Sequence, residues 1–185
     1  MKLLVTVKLE NKLKPKKIKI GILGGTFDPA HKGHLEISKQ AKKRFKLNNI
    51  VWAITKKNPF KSESKSNLRS RIQFAKKLIE KNNYIKVKFY EEKIGSNKTV
   101  DLIEHLSKER KNEIYFIMGA DNLINFHKWY KWKAIIKKCS ILVFDRQGYK
   151  TKSLKSVTFT KANKKSLTFV NFNKVNISSS QLRKV

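Results

Sequence analysis

Residues 18 to 34 read IKIGILGGTFDPAHKGH, an apolar run that passes through a glycine turn and ends in two histidines three residues apart. The run Ile18 to Leu23 has the β-branched character of a buried first strand, and the residues after the turn, HLEISKQAKKRF, have helical spacing. The string therefore occupies a strand-to-helix turn. Gly24 and Gly25 let the backbone approach a ligand closely, Asp28-Pro29 tightens the turn, and Gly33 leaves room just before the helix. His34 shares a helical face with Ile37, Ala41 and Phe45, which puts it in the first turn near the positive end of the helix dipole, with His31 one loop-turn away. Free N–H groups and two imidazoles at a helix start suit a phosphate on which negative charge is building. Taken singly, a GG turn, an Asp-Pro pair or one surface histidine carries little; the eleven residues 24 to 34, GGTFDPAHKGH, taken together point to function.

Two further stretches carry the same chemistry. Near the end of the chain, Ile177 to Arg183 reads ISSSQLR. Ser178 or Ser179 can cap a helix start, the next N–H groups can face an anion, and Arg183 lies one turn on as a fork for phosphate oxygens. In the middle, residues 114 to 132 read IYFIMGADNLINFHKWYKW, a buried strand that opens into Gly119-Ala120-Asp121-Asn122 and an aromatic cluster. On residue type alone Asp121 would cap a helix, and Trp129, Tyr130 and Trp132 would pack in the core.

The first two strings resemble the H-x-G-H and I-S-S-x-x-x-R motifs of the nucleotidyltransferase superfamily. The middle one is similar to the G-x-D…F-x-x-W segment of bacterial nicotinate-nucleotide adenylyltransferases, and Ile141 to Tyr149, ILVFDRQGY, continues the likeness through their next strand and R-x-G-Y turn. The match spans most of residues 18 to 183. It implies transfer of an adenylyl group from ATP to nicotinate mononucleotide, giving nicotinate adenine dinucleotide and pyrophosphate in NAD biosynthesis. By the resemblance His31 and His34 are catalytic. Gly24, Gly25, Thr26, Phe27, Asp121, Ile177, Ser178, Ser179 and Arg183 fall on the ATP-binding pattern, with Asp121 holding ribose hydroxyls. Trp129 stacks on the pyridine ring, and Tyr130 and Thr99 lie at the nicotinate carboxylate; Trp132 is left with the core. The NPFK of the linker 56 to 66 is similar to a basic element of the family and makes Lys61 a phosphate contact, with a solvated charged loop as the plainer reading. Magnesium is expected to come in with ATP rather than in a protein cage. The rival functions are adenylylation of another acceptor, nicotinamide mononucleotide or phosphopantetheine, and a basic nucleic-acid-binding protein without catalysis. The phosphopantetheine enzymes typically carry Thr where His31 stands.

Two features depart from the family pattern. Residues 98 to 103 read KTVDLI, so Lys98 replaces an aromatic on one side of the pyridine pocket. The chain also stops two residues after Arg183, leaving about one helical turn, which is expected to be marginal until ATP orders it.

The rest of the pattern alternates strand and helix. Strands are expected at 50 to 55, 85 to 90, 114 to 118, 141 to 144 and 167 to 172, and helices at 68 to 81, 100 to 106 and 134 to 137. That alternation is an α/β fold, a Rossmann-like doubly wound parallel sheet with its ligands at the C-terminal strand ends. Residues 150 to 166, rich in Lys, Ser and Thr, are expected to form a loop. The 185 residues suit a single domain, with residues 1 to 17 as a loosely attached extension.

Composition excludes more than it selects. No apolar run nears the roughly 18 residues of a membrane span, and the five-residue apolar stretch before Lys8 is too short for a signal core, so no membrane and a cytoplasmic address are expected. One cysteine, Cys139, allows no internal disulfide and reads as a buried thiol. The net charge of +31 comes almost wholly from lysine spread along the chain, where a nucleic-acid footprint would cluster with Arg and aromatics. No specific nucleic acid is expected; the field would draw ATP and a mononucleotide.

Overall fold

The computed structural model describes residues 17 to 58, 60, 63 to 109, 112 to 162 and 166 to 171. The extension before residue 17, Lys61, and the whole of Ile177 to Arg183 lie outside the described residues.

The alternating pattern folds as expected, with β1 (Lys19–Gly25), α1 (Lys32–Phe45), β2 (Asn49–Ile54), α2 (Leu68–Leu78) and β3 (Ile85–Phe89) forming the first half. A short α3 (Glu91–Ile94) and α4 (Thr99–Lys108) lead to β4 (Glu113–Gly119), α5 (Ala120–Ile124), a 3-10 turn at Phe126–Lys128, α6 (Trp132–Lys138) and β5 (Ser140–Phe144). The chain continues through α7 (Lys150–Leu154) and α8 (Val157–Lys161) to β6 (Leu167–Val170). Every strand pairs in parallel, in the order β3-β2-β1-β4-β5-β6. The order reverses between β1 and β4, and that switch point sets the ligand edge.

Side-chain alternation along each strand divides the core in two. Ile22, Phe116 and Val143 face a layer built from Val100, Ile103 and Leu106 of α4, Leu123 of α5 and Ile135 of α6. Leu23, Ile117 and Phe144 face the opposite layer, where Ala41 of α1 and Ala75 of α2 pack over Ile50, Trp52 and Ile54. A Cβ at Gly21 would sit 2.8 Å from the Leu47 Cδ1 and 2.9 Å from the Ile117 Cδ1, so those side-chain ends would have to shift to admit one. Cys139 is buried, its thiol donates to the Ile135 carbonyl at 3.3 Å, and burial pushes its pKa up to about 12, so it is an inert structural thiol.

The segment from 150 to 161 is helical rather than a loop. Ser156 caps α8 by accepting from the Phe159 N–H at 3.3 Å, and the Ser153 hydroxyl donates to the Lys150 carbonyl at 2.7 Å. Short polar side chains bonded to their own backbone can be buried. Ser153, bonded in this way, is 0% exposed; Thr158 is also 0% exposed, but its hydroxyl has no hydrogen-bond partner among the described residues, and the packing of α7 and α8 on α5 buries it. Composition alone points to solvation there.

Candidate active site

With all strands parallel, the connections after β1, β2, β3, β4 and β5 emerge on one edge of the sheet. His31 and His34, Thr99, Asp121, Trp129 and Tyr130 all lie on connections or helix starts at that edge.

The histidines form one unit. His31 is the N-cap of α1 rather than a residue one loop-turn away, and His34 is the third residue of the helix. The His31 Nδ1 accepts from the Gly33 N–H at 3.1 Å, and the His34 Nδ1 accepts from the His31 N–H at 3.2 Å. This is a capping box in which imidazoles stand in for Ser and Glu. An Nδ1 that accepts leaves the ring proton of each neutral imidazole on Nε2. The two rings lie 3.9 Å apart between centroids. Burial, and then the positive charge of Arg146, lower the pKa of His31 to about 4, so it is neutral at pH 7.

Gly24 and Gly25 have no crowding of their own, because an added Cβ would make only ordinary contacts, at 3.5 Å or more, with the rings of Phe116 and Phe27. Phe27 is buried at a positive φ of 49°, and its ring lies 4.6 Å from that of His34 and 5.0 Å from Trp52. Asp28 does more than tighten a turn. It is 1% exposed, precedes a cis proline, and its carboxylate accepts from the N–H groups of Lys65 at 2.7 Å and Ser66 at 3.3 Å. The loop after β1 is thereby tied to the loop after β2.

On the other side of the switch point, Asp121 does not cap a helix. The N-cap of α5 is Gly119, and Asp121 instead receives a hydrogen bond from the Arg146 guanidinium at 2.6 Å. Its Oδ1 hangs over Gly119, where a Cβ would come within 2.5 Å, so this glycine makes room for the carboxylate. Trp129 is half-buried, edge-on to Phe116 at 6.0 Å and tilted on Phe126 at 5.0 Å. Its own N–H is already donated to the Phe126 carbonyl at 2.9 Å, which leaves the Tyr130 N–H as the amide donor of that pair. Tyr130 is 54% exposed, and Trp132 packs against the core as expected. Thr99 opens α4, and the neighbouring Lys98 is exposed.

Sequence reasoning gave no role to Arg71 and Arg146. Arg146 lies in the R-x-G-Y turn, stacks its guanidinium over Tyr149 at 5.7 Å and joins Asp121. Arg71 had a visible signal, since it stands on the buried stripe of α2 between Leu68 and Ala75, where an arginine needs partners.

These features agree with the relatives of the chain. A cytidylyltransferase-like family model matches residues 22–185. A probable nicotinate-nucleotide adenylyltransferase of Pelagibacter ubique is 75% identical over 179 residues, covering 97% of this chain and 99% of the relative. The chain belongs to the nicotinate-nucleotide adenylyltransferases. A more distant member from Clostridium tetani is 34% identical over 173 residues, covering 89% of this chain and 85% of its own length. The fold matches that of Plasmodium falciparum nicotinic acid mononucleotide adenylyltransferase complexed with NaAD, with a TM-score of 0.70 at 20% identity, over 90% of this chain and 83% of that one. Membership makes the chain an adenylyl-transferring enzyme of NAD biosynthesis, with a nucleotidyltransferase fold.

Proposed function

We propose that the chain transfers the adenylyl group of ATP to nicotinate mononucleotide. An oxygen of the mononucleotide's 5′-phosphate attacks the α-phosphorus in line. The new P–O bond forms as the bond from the α-phosphorus to the bridging β-oxygen breaks, releasing nicotinate adenine dinucleotide and pyrophosphate. A phosphate is already nucleophilic at neutral pH, so the protein's contribution is positioning and charge stabilisation.

The observation that carries this reading is the paired-imidazole cap. With both Nδ1 atoms engaged as acceptors, each ring keeps an Nε2–H donor for a phosphate oxygen, and a neutral His31 can donate without a proton transfer. In the same reading Gly24, Gly25, Thr26 and Phe27 line the ATP phosphates, and Ser178, Ser179 and Arg183 hold the leaving pyrophosphate. Asp121 takes ribose hydroxyls, Trp129 the pyridine ring, and Tyr130 and Thr99 the carboxylate, with Lys61 a further phosphate contact.

Magnesium would accompany ATP, bound by phosphate oxygens and water. Among the described residues no group of three His, Cys, Asp or Glu could hold a metal; Asp28 is engaged by backbone N–H groups and Asp121 by Arg146. Its chemistry there would be shielding of phosphate charge.

Pyrophosphate release from ATP, measured with nicotinate mononucleotide, nicotinamide mononucleotide and phosphopantetheine in turn, tests the assignment. Turnover is expected with the first and at least tenfold lower kcat/KM with the others; equal or greater efficiency with another acceptor would overturn it.

A further inference from the structure

The loop that carries the histidines is held from behind by one buried cation. Arg71 is 4% exposed, and four of its hydrogen bonds go to backbone carbonyls of three separate segments. Its Nη1 donates to Thr26 O at 2.6 Å, after β1, and to Thr55 O at 2.9 Å, after β2. Its Nη2 donates to Lys56 O at 3.2 Å, and its Nε to Ser66 O at 3.1 Å, just before α2. Glu91, the first residue of α3 just after β3, closes the same assembly by accepting from the Thr55 hydroxyl and, at 3.2 Å, from the Lys56 N–H. The ends of β1, β2 and β3 are thus joined through one guanidinium and two carboxylates, those of Asp28 and Glu91.

The connection to the histidines is short. Thr26, whose carbonyl Arg71 holds, is followed by Phe27 at its positive φ, a conformation that costs an L-residue free energy unless its surroundings enforce it. The Phe27 ring packs against both His34, at 4.6 Å, and Trp52, at 5.0 Å, which themselves lie 5.9 Å apart; the Trp52 indole N–H donates to Ser38 Oγ at 2.9 Å, and Ser38 Oγ donates to His34 O at 2.8 Å. His34 is therefore packed by a ring whose backbone is fixed by Arg71.

We propose that Arg71 is a positioning residue for the transfer reaction, acting through Thr26 and Phe27 to set the place of the His34 ring. It touches no reacting atom. The inference rests on the assignment of His34 to the reaction, and guanidinium geometry is what the role requires: a lysine at 71 keeps the charge but cannot reach four carbonyls in a plane.

The test compares Arg71→Lys with the wild-type enzyme, in the full chain, by pyrophosphate release with ATP and nicotinate mononucleotide. Arg71→Lys is expected to fold, as judged by circular dichroism, to lose about 10- to 100-fold in kcat, the scale set by a small misplacement of a group near the reacting centre, and to change either KM less than threefold. Histidine-ring 15N resonances of the free enzyme should shift for His34, a readout independent of turnover. Phe27→Leu should reproduce the kcat loss, and the double variant should lose no more than the worse single one. A folded Arg71→Lys with normal kcat and an unshifted His34 ring would overturn the proposal, as would full additivity with Phe27→Leu. Should Arg71→Lys fail to fold, Glu91→Ala releases Thr55 and Lys56: a kcat loss in the folded variant supports the proposal, and an unchanged kcat overturns it. A wild-type enzyme inactive with nicotinate mononucleotide would instead remove the assigned reaction and leave the His34 resonance shift to decide the positioning.

Discussion

In and behind the loop that follows β1, Asp28 and Arg71 are 1% and 4% exposed, while in the segment that follows β4 Tyr130 is 54% exposed and Asp121 is tied to Arg146. The first region is over-determined, because Asp28 holds two amides, Arg71 holds carbonyls from three segments, and both histidines are fixed by a reciprocal cap. In the second, half-buried Trp129 leans on Phe116 and Phe126, and no side chain caps α5. The contrast fits a division of work. Donors that must meet developing charge gain from being fixed before the substrate arrives, since no reorganisation is then needed during reaction. Groups that only recognise an acceptor can be ordered by it, at some cost in affinity.

The largest effect should come from the rigid side. His34→Ala is expected to lower kcat about 100- to 1000-fold, the usual loss for one donor aimed at developing charge, with the far-ultraviolet circular dichroism unchanged. A folded variant with near-normal kcat would place the chemistry elsewhere. On the pliant side Trp129→Ala should raise KM for the mononucleotide by a factor corresponding to about 1 to 3 kcal/mol of stacking, while KM for ATP stays put. Trp129 also packs on the core, so Trp129→Phe is the needed control: it should restore much of the packing and part of the affinity. Equal changes in both KM values would show that the tryptophan acts through stability alone.

The rigid side was also the more legible one in the sequence. Strand, glycine turn and helix follow from local pattern, and H-x-G-H is local too, so β1, α1 and the histidine pair needed no long-range information. The buried brace did need it. Asp28 and Lys65, or Thr26 and Arg71, meet only once the loops after β1 and β2 lie side by side, and no spacing along the chain encodes that. Arg71 still left a trace as a charge on the apolar stripe of α2. The helices α7 and α8 left a weaker one, because burial of Ser153 and Thr158 depends on the α5 surface they cover. By residue type Trp129 is either a stacking platform or core, and the structure packs it half-buried on Phe116 and Phe126 with part of the side chain exposed.

A pH titration separates the two regions in another way. Folded His31 has its pKa lowered to about 4 from the ordinary histidine value of 6.5, so between those values the unfolded chain holds a proton that the folded chain does not. Stability must then fall as the pH drops below about 6.5 and level off below about 4, with no contribution at higher pH. His31→Asn keeps a capping oxygen and removes the titration. Against that variant the wild-type Tm should be constant from pH 7 to 8 and drop by a few degrees in acid, a modest effect because the half-buried ring is partly screened by solvent. A difference between the two proteins that does not change with pH would show that the His31 ring is not held neutral by burial.

The smallest effect concerns Lys98, where the chain departs from the aromatic pattern of its family. Nicotinate differs from nicotinamide by a carboxylate, so a lysine near the ring favours the acid. At an effective dielectric near 20 and 4 Å the attraction would be about 4 kcal/mol, but in bulk water it is only about 1 kcal/mol. Lys98 is exposed, at the start of α4 and without a side-chain cap bond, which puts it close to the aqueous limit. On the proposed reading, most of the preference for nicotinate then rests on Thr99 and the Tyr130 N–H. Lys98→Gln is expected to lower the nicotinate-to-nicotinamide ratio of kcat/KM by less than about fivefold, leaving the acid preferred. Raising the ionic strength should erase most of that difference, since an exposed pair is screened within about 10 Å at 0.1 M salt. A loss of tenfold or more that resists salt would mean that Lys98 folds over the bound acceptor and is desolvated there. The pliant side would then close on its substrate far more tightly than its exposed residues suggest.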